Sequence, residues 1–177
     1  MEEKKLIKKL KLNDENSFRI LVDLFKKKVF NTSLSIIQNI DDADDISQDV
    51  FIQIFKSINK FKGNSSLSTW IYKITISKSF EYIRYKKRKK RFSTLLKLFR
   101  EDGSIIDIPD FVHPGILLER KEDSKLLFEA IEKLNQYQKQ AYILKNITGL
   151  SYKEIADVMD KTTSSIESLI FRAKRNL

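Results

Sequence analysis

A chain of 177 residues can form one medium domain or two small ones. Its 41% hydrophobic content suffices for packed cores and its 33% charged residues for a well-solvated surface, while only 4 Gly and 2 Pro favour long helices over a loop-rich β protein. The absence of cysteine excludes disulfides and thiolate metal sites, and a single histidine, His113, argues against a His-based metal centre or proton relay, so no cofactor or metal is expected.

The opening MEEKKLIKKLKL lacks the apolar core of a signal peptide, and no later run is long enough to span a bilayer. A soluble cytoplasmic protein without membrane insertion is expected. The formal charge of +10 is uneven: residues 1–91 carry 21 basic and 11 acidic groups, residues 92–118 carry 2 and 4, and residues 119–177 carry 11 and 9. The amino-terminal half therefore holds the electrostatic footprint for a polyanion.

Asn13 or Asp14 can cap a helix bearing Phe18, Leu21, Val22, Phe25 and Val29 at three- and four-residue spacing, with a break near Asn39. A second helix is expected over residues 42–58 with the stripe Ile46, Val50, Ile54 and Ile58. Residues 62–66 (KGNSS) read as a loop with a turn glycine. A third helix runs from about Ser68 into a cationic run in which seven of the eight residues 84–91 are Lys or Arg. The run adjoins the only Trp, Trp70, and Tyr72, Phe80, Tyr82 and Tyr85. Cations follow a phosphate backbone and aromatic rings stack on unpaired bases, so partly opened nucleic acid is the expected partner, against the simpler reading of a solvated face. Trp70 itself reads equally as core.

Residues 92–118 hold Gly103, Pro109, Pro114 and Gly115 with an acidic excess, the composition of a linker. A second module begins near Glu119, with a helical stripe through Leu126, Leu127, Ala130, Ile131 and Leu134 and a further helix over residues 136–147. The fold expected is all-α: two small helical domains, residues 1–91 and 119–177, joined by a flexible linker over 92–118.

The carboxy-terminal stretch reads as a helix-turn-helix. Ser151 and Glu154 form a capping box, Ala156 gives room for a close crossing, residues 160–162 turn the chain, and Thr162 caps the second helix. Ile166, Leu169 or Ile170, and Ala173 anchor that helix. An ordinary helical hairpin is the plain alternative.

Asp41, Asp42, Asp44, Asp45 and Asp49 cluster in a protein otherwise suited to polyanions. Some suit the helix dipole, but five exceed what capping needs. A basic protein partner explains them better, with Phe51 or Phe55 as anchor. Metal binding or acid–base work by these carboxylates lacks the accompanying His or Gly-rich loop.

In this order, DDADDISQDVFIQIF, KGNSSLSTWIYKI, a basic helix end, a linker and a terminal helix-turn-helix resemble a bacterial RNA polymerase sigma factor of the extracytoplasmic-function (ECF) type, over about residues 14–91 and 119–177. The resemblance implies a sigma region 2 and a sigma region 4 and no catalytic activity. Asp44, Asp45, Gln48, Asp49, Phe51 and Phe55 would bind the coiled coil of the largest subunit of RNA polymerase core. Lys62, Asn64, Ser65, Ser66, Ser68, Thr69, Trp70 and Lys73 would capture the melted non-template strand of the minus-ten element, aided by Arg84, Lys86, Lys87 and Arg88. Ser151, Lys153, Thr163, Ser164, Ser165, Ser168, Arg172, Lys174 and Arg175 would read the duplex minus-thirty-five element of promoter DNA. The polymerase flap and an anti-sigma factor are further implied partners. Two departures matter: Asp160 replaces the usual turn glycine, and Glu167 and Leu169 stand where basic residues are common, which implies weak or unusual upstream recognition. A stand-alone helix-turn-helix regulator, and a sigma-like polymerase-binding protein without promoter recognition, are the alternatives.

Overall fold

A computed structural model describes residues 3–98 and 121–177, with side chains over 3–92 and 127–177, and every regular element among them is helical. The first, α1 (Glu3–Lys11), was not anticipated. Leu6 and Leu10, one turn apart, are buried, so a short amphipathic pattern within the lysine-rich opening suffices to dock it.

Asn13 takes the left-handed conformation (φ 57°), and Asp14 caps α2 (Glu15–Ile37) by accepting from the Ser17 amide at 2.8 Å. The helix ends at left-handed Gln38, whose amide donates to the Leu34 carbonyl at 2.8 Å. Asn39 then caps α3 (Ile40–Ser57), accepting from the Asp42 amide at 2.9 Å, so the helix starts two residues before the expected Asp42. A 3-10 turn (Ile58–Lys60) leads to the loop and to α4 (Leu67–Leu98), which continues beyond residue 91, where the linker was expected to start. Lys and Arg are good helix formers and the run has neither Gly nor Pro to stop it. Residues 99–118 of the expected linker lie outside the described residues.

The second module contains α5 (Lys121–Lys133), α6 (Gln136–Asn146), α7 (Tyr152–Met159) and α8 (Thr163–Asn176). A capping box between Asn135 and Gln138 starts α6.

The long helix α4 serves two cores. Leu67 and Ile71 join Leu21, Val29, Val50 and Ile54 of the first module. Tyr72, Ile76 and Phe80 instead enter a second core with Ile36 and with Ile131, Leu144, Ile155 and Ile166 of the carboxy-terminal module. Polar contacts lock the same junction at the end of α2. Buried Lys139 donates to the Ile36 carbonyl at 3.0 Å and pairs with Glu132, while Gln38 Nε2 donates to the Phe128 carbonyl at 3.2 Å. The Ile36 carbonyl lies in the last turn of α2, where carbonyls lack a partner in their own helix. The two modules are therefore packed together, an arrangement the sequence left open.

Candidate polymerase and nucleic-acid interfaces

The loop between the 3-10 turn and α4 is fixed at its ends and open in its middle. Phe61 is buried, its ring 5.1 Å from Trp70 at a 45° tilt, while Lys62, Gly63, Asn64 and Ser66 are exposed. Gly63 supplies a positive φ of 76° at the turn. Trp70 is half-buried, combining its core role with a partly open ring. The Thr69 side chain is buried, its hydroxyl 2.8 Å from Ser66 Oγ, and that same oxygen accepts from the Thr69 amide at 3.1 Å to start α4.

Asn64, Ser65, Thr69, Trp70 and Lys73 form one wall of an open cleft of about 600 Å³. The other wall comes from the second module: Asp157, Asp160, Lys161 and Thr162. Lys73 bridges the two, its Nζ 2.6 Å from Asp160 Oδ1.

Arg84, Lys86, Lys87 and Arg88 are all exposed along α4. Most of the neighbouring aromatics are not available to stack on bases. Tyr72 and Phe80 are core residues, and burial raises the Tyr72 pKa, with Glu154 adding to it. Tyr82 lies beside Asp42, whereas Tyr85, at 55% exposure, presents an open ring. The rings on the inner face of α4 point to the second module because their spacing is that of a helix stripe, and packing claims such a stripe first.

The acidic and basic flanks also meet. Lys86 Nζ lies 2.6 Å from Asp42 Oδ2. Burial pushes the Asp42 carboxyl up, but hydrogen bonds from Lys86 and Tyr82 outweigh it and hold the group below its ordinary range. The same bond raises the Lys86 pKa. Asp49 shares a groove with Arg84, Tyr85 and Arg88.

On the outer side of α3, Asp44, Asp45, Gln48 and Asp49 are exposed, with Gln48 Nε2 donating to Asp44 Oδ2 at 3.0 Å. Phe51 is half-buried; Phe55 is 48% exposed and meets Phe18 edge-on at 5.3 Å. Ile52, left out of the expected set, is 51% exposed between them, an apolar residue on a polar face that the sequence alone displays.

The helix-turn-helix forms as its caps require. Glu154 N donates to Ser151 Oγ at 3.3 Å, while the Ser151 hydroxyl (2.7 Å) and amide (2.8 Å) both donate to Glu154 Oε2 and lower the Glu154 pKa. Asp160 takes the left-handed conformation (φ 51°, ψ 51°) in place of glycine, and Thr162 caps α8 by accepting from the Ser165 amide at 3.2 Å. Both Leu169 and Ile170 are buried with Ile166 and Ala173. Leu169 therefore faces the core, so the concern that it leaves a base contact unfilled falls away. Outward, α8 presents Thr163, Ser164, Glu167, Ser168, Arg172, Lys174 and Arg175, with Ser165 half-buried. Ser151 and Lys153 are exposed at the start of α7, and Phe171, 68% exposed, completes the outer face of α8.

Two family models match this architecture: "Sigma-70 region 2" over residues 21–89 and "Sigma-70, region 4" over residues 124–177. Together they cover more than half of the chain. It belongs to the sigma-70 family.

Among similar proteins of this family is the ECF RNA polymerase sigma-E factor of Haemophilus influenzae, 28% identical over 173 residues, covering 96% of this chain and 89% of that protein. The sigma-E factor of Escherichia coli (strain K12) is likewise 28% identical, covering 96% and 88%. The fold is that of CnrH in its complex with the cytosolic domain of CnrY (TM-score 0.70, 17% identity, 98% of this chain and 93% of that one). It is also that of the sigma factor RpoE in complex with the anti-sigma factor NepR from Bartonella quintana (TM-score 0.68, 19% identity, covering 90% and 92%). The region 2 match begins at residue 21, so α1 and the first turns of α2 lie outside it.

Proposed function

We propose that this sigma-70 family protein directs RNA polymerase core to specific promoters and helps open them. The observation that carries the reading is the presence, in family order on one chain, of sigma region 2 and region 4. A stand-alone helix-turn-helix regulator would leave region 2 without a use.

Asp44, Asp45, Gln48 and Asp49 with Phe51 and Phe55 dock the largest-subunit coiled coil, their exposed charges suiting a basic partner. Residues 62–66 with Ser68, Trp70 and Lys73 hold the opened strand, and Arg84, Lys87 and Arg88 neutralise its phosphates. Trapping an extruded base must offset unstacking of a few kcal/mol, so stacking and phosphate contacts act together. Outward residues of α8 enter the major groove of the upstream element. The functional modules are residues 1–91 and 119–177, joined by 92–118. The protein has no catalytic activity of its own and works in the cytoplasm beside its polymerase. An anti-sigma factor belongs to this reading, as its structural neighbours CnrH and RpoE are held by such partners or by a cytosolic domain.

Reconstitution with core polymerase tests this. Run-off transcription on a genomic library should yield discrete starts, with permanganate-reactive thymines just upstream. Failure to co-purify with core would leave only a DNA-binding regulator, and binding without reactive thymines would leave a polymerase-binding protein that does not open promoters.

A further inference from the structure

We propose that α1 splints the strand-capture loop, with Glu3 and Lys11 as positioning residues for promoter opening. The proposal rests on the reading of residues 62–66 as the strand-capturing loop.

Two bonds run from the ends of α1 to the ends of that loop. Glu3 Oε1 accepts from the Leu67 amide at 2.9 Å, across 64 residues of sequence. Lys11 Nζ donates to the Phe61 carbonyl at 2.7 Å, across 50 residues. Glu3 and Lys11 lie at opposite ends of a nine-residue helix, about 12 Å apart along its axis at the usual rise. Leu6 and Leu10, between them, are buried in the first core with Phe61 and Leu67. The helix is thus held along its length and touches the loop at its first and last joints.

Each contact also has a clear local cause. The Leu67 amide is the first of α4 and has no acceptor within its own helix. Glu3 supplies one and places a negative charge at the start of α4 as well as in the first turn of α1, where both dipoles favour it. Lys11 sits in the last turn of α1, where a cation is favoured, and its ammonium donates to the Phe61 carbonyl. Between the joints, Lys62, Gly63, Asn64 and Ser66 are exposed, so no packing of their own fixes the loop. Ordering such a segment on a bound strand carries an entropy cost that fixed ends reduce.

The test uses the full chain assembled with core polymerase. The probe is a short single-stranded oligonucleotide enriched from a random pool on the wild-type assembly, together with its duplex. Glu3→Ala and Lys11→Met should each weaken single-strand binding about tenfold, the loss of a charged hydrogen bond. They should shift the emission of Trp70, the only tryptophan, which packs on Phe61. Core and duplex binding should stay near wild type, and Glu3→Gln, which keeps an acceptor oxygen, should recover most of the single-strand affinity. Asn64→Ala is the control for the loop itself. If Asn64→Ala weakens single-strand binding while both α1 variants leave it intact, the splint is refuted and the loop reading stands. If Asn64→Ala also has no effect, both fall. Equal losses in core, duplex and single-strand binding would mark α1 as general scaffolding and overturn the proposal, and Lys11→Met decides alone should Glu3→Ala fail to fold.

Discussion

Lys73 Nζ and Asp160 Oδ1, 2.6 Å apart, tie the long helix of the first module to the turn of the helix-turn-helix across the open cleft that both modules line. A cation proposed to hold the opened strand is thereby neutralised by the carboxylate of the left-handed turn residue. Both groups are substantially exposed, 46% and 74% by side chain, so the pair contributes at most about 1 kcal/mol. If Lys73 holds the strand as proposed, the pair should affect binding more than stability, because it occupies Lys73.

Asp160→Gly should therefore leave the melting temperature close to wild type. Glycine relieves the left-handed backbone at φ 51°, which offsets the lost ion pair. Affinity for single-stranded DNA should rise and its log–log salt slope should steepen by about 0.7, the value for one added phosphate contact on a single strand. Anisotropy titrations over a range of salt measure both. An unchanged slope would mean that Lys73 does not reach a phosphate.

The buried end of the module junction should respond more strongly. Lys139 is 5% exposed by side chain and its partner Glu132 is 50% exposed. Burial lowers the Lys139 pKa, and Glu132 opposes that shift. Glu132→Gln should cost about 1–2 kcal/mol, between a surface pair and a fully buried one, because the ammonium stays in the junction without its carboxylate. With the folded pKa depressed, the unfolded chain keeps the proton to higher pH. Stability should consequently climb as pH rises towards about 10.4, and more steeply in the variant. Denaturant melts from neutral to alkaline pH supply the comparison.

Much of this architecture was legible because local signals agreed with the tertiary outcome. Asp14, Ser151 and Thr162 cap helices, and the stripe Ile46, Val50, Ile54 is core. The helix α1 was illegible because nine residues with two buried leucines carry little periodic signal among the five lysines from Lys4 to Lys11. Packing between the modules was illegible for a different reason. Tyr72, Ile76 and Phe80 read as one apolar line of the first bundle, and only three dimensions reveal that they share a core with Ile131 and Ile155 as well as with Ile36 of α2. The same burial removes Tyr72 and Phe80 from the aromatic set offered to bases.

Asp42, Tyr82 and Lys86 predict a pH signature. Asp42 has a folded pKa below its unfolded value, so its contribution is complete above about pH 4 and lost as pH falls through the folded value. Lys86 has a raised pKa, so its contribution is complete below about pH 10 and lost as pH rises through the folded value. The stability difference between wild type and Asp42→Asn should be level between these limits and shrink at both ends. Since the Lys86 side chain is 59% exposed, the plateau should be no more than about 1 kcal/mol. Thermal melts of both proteins across pH provide the check.

Docking to polymerase should depend on α3 charge and little on α3 stability. Asp45 is exposed, lies one turn from Asp49, and sits outside the groove that Asp49 shares with Arg84 and Arg88. Asp45→Lys reverses a charge proposed to face a basic partner, and like-charge juxtaposition at an interface costs several kcal/mol. Co-purification with core polymerase should fall by at least about a hundredfold, while a surface substitution of this kind shifts stability by only about 0.5 kcal/mol. Asp49→Lys should do the same to docking but melt lower, because it adds a cation beside Arg84 and Arg88. Pull-down with core polymerase and a melt of each variant separate the two effects. Normal co-purification of both would remove α3 from the polymerase contact and leave Phe55 and Ile52 as an apolar surface with another purpose.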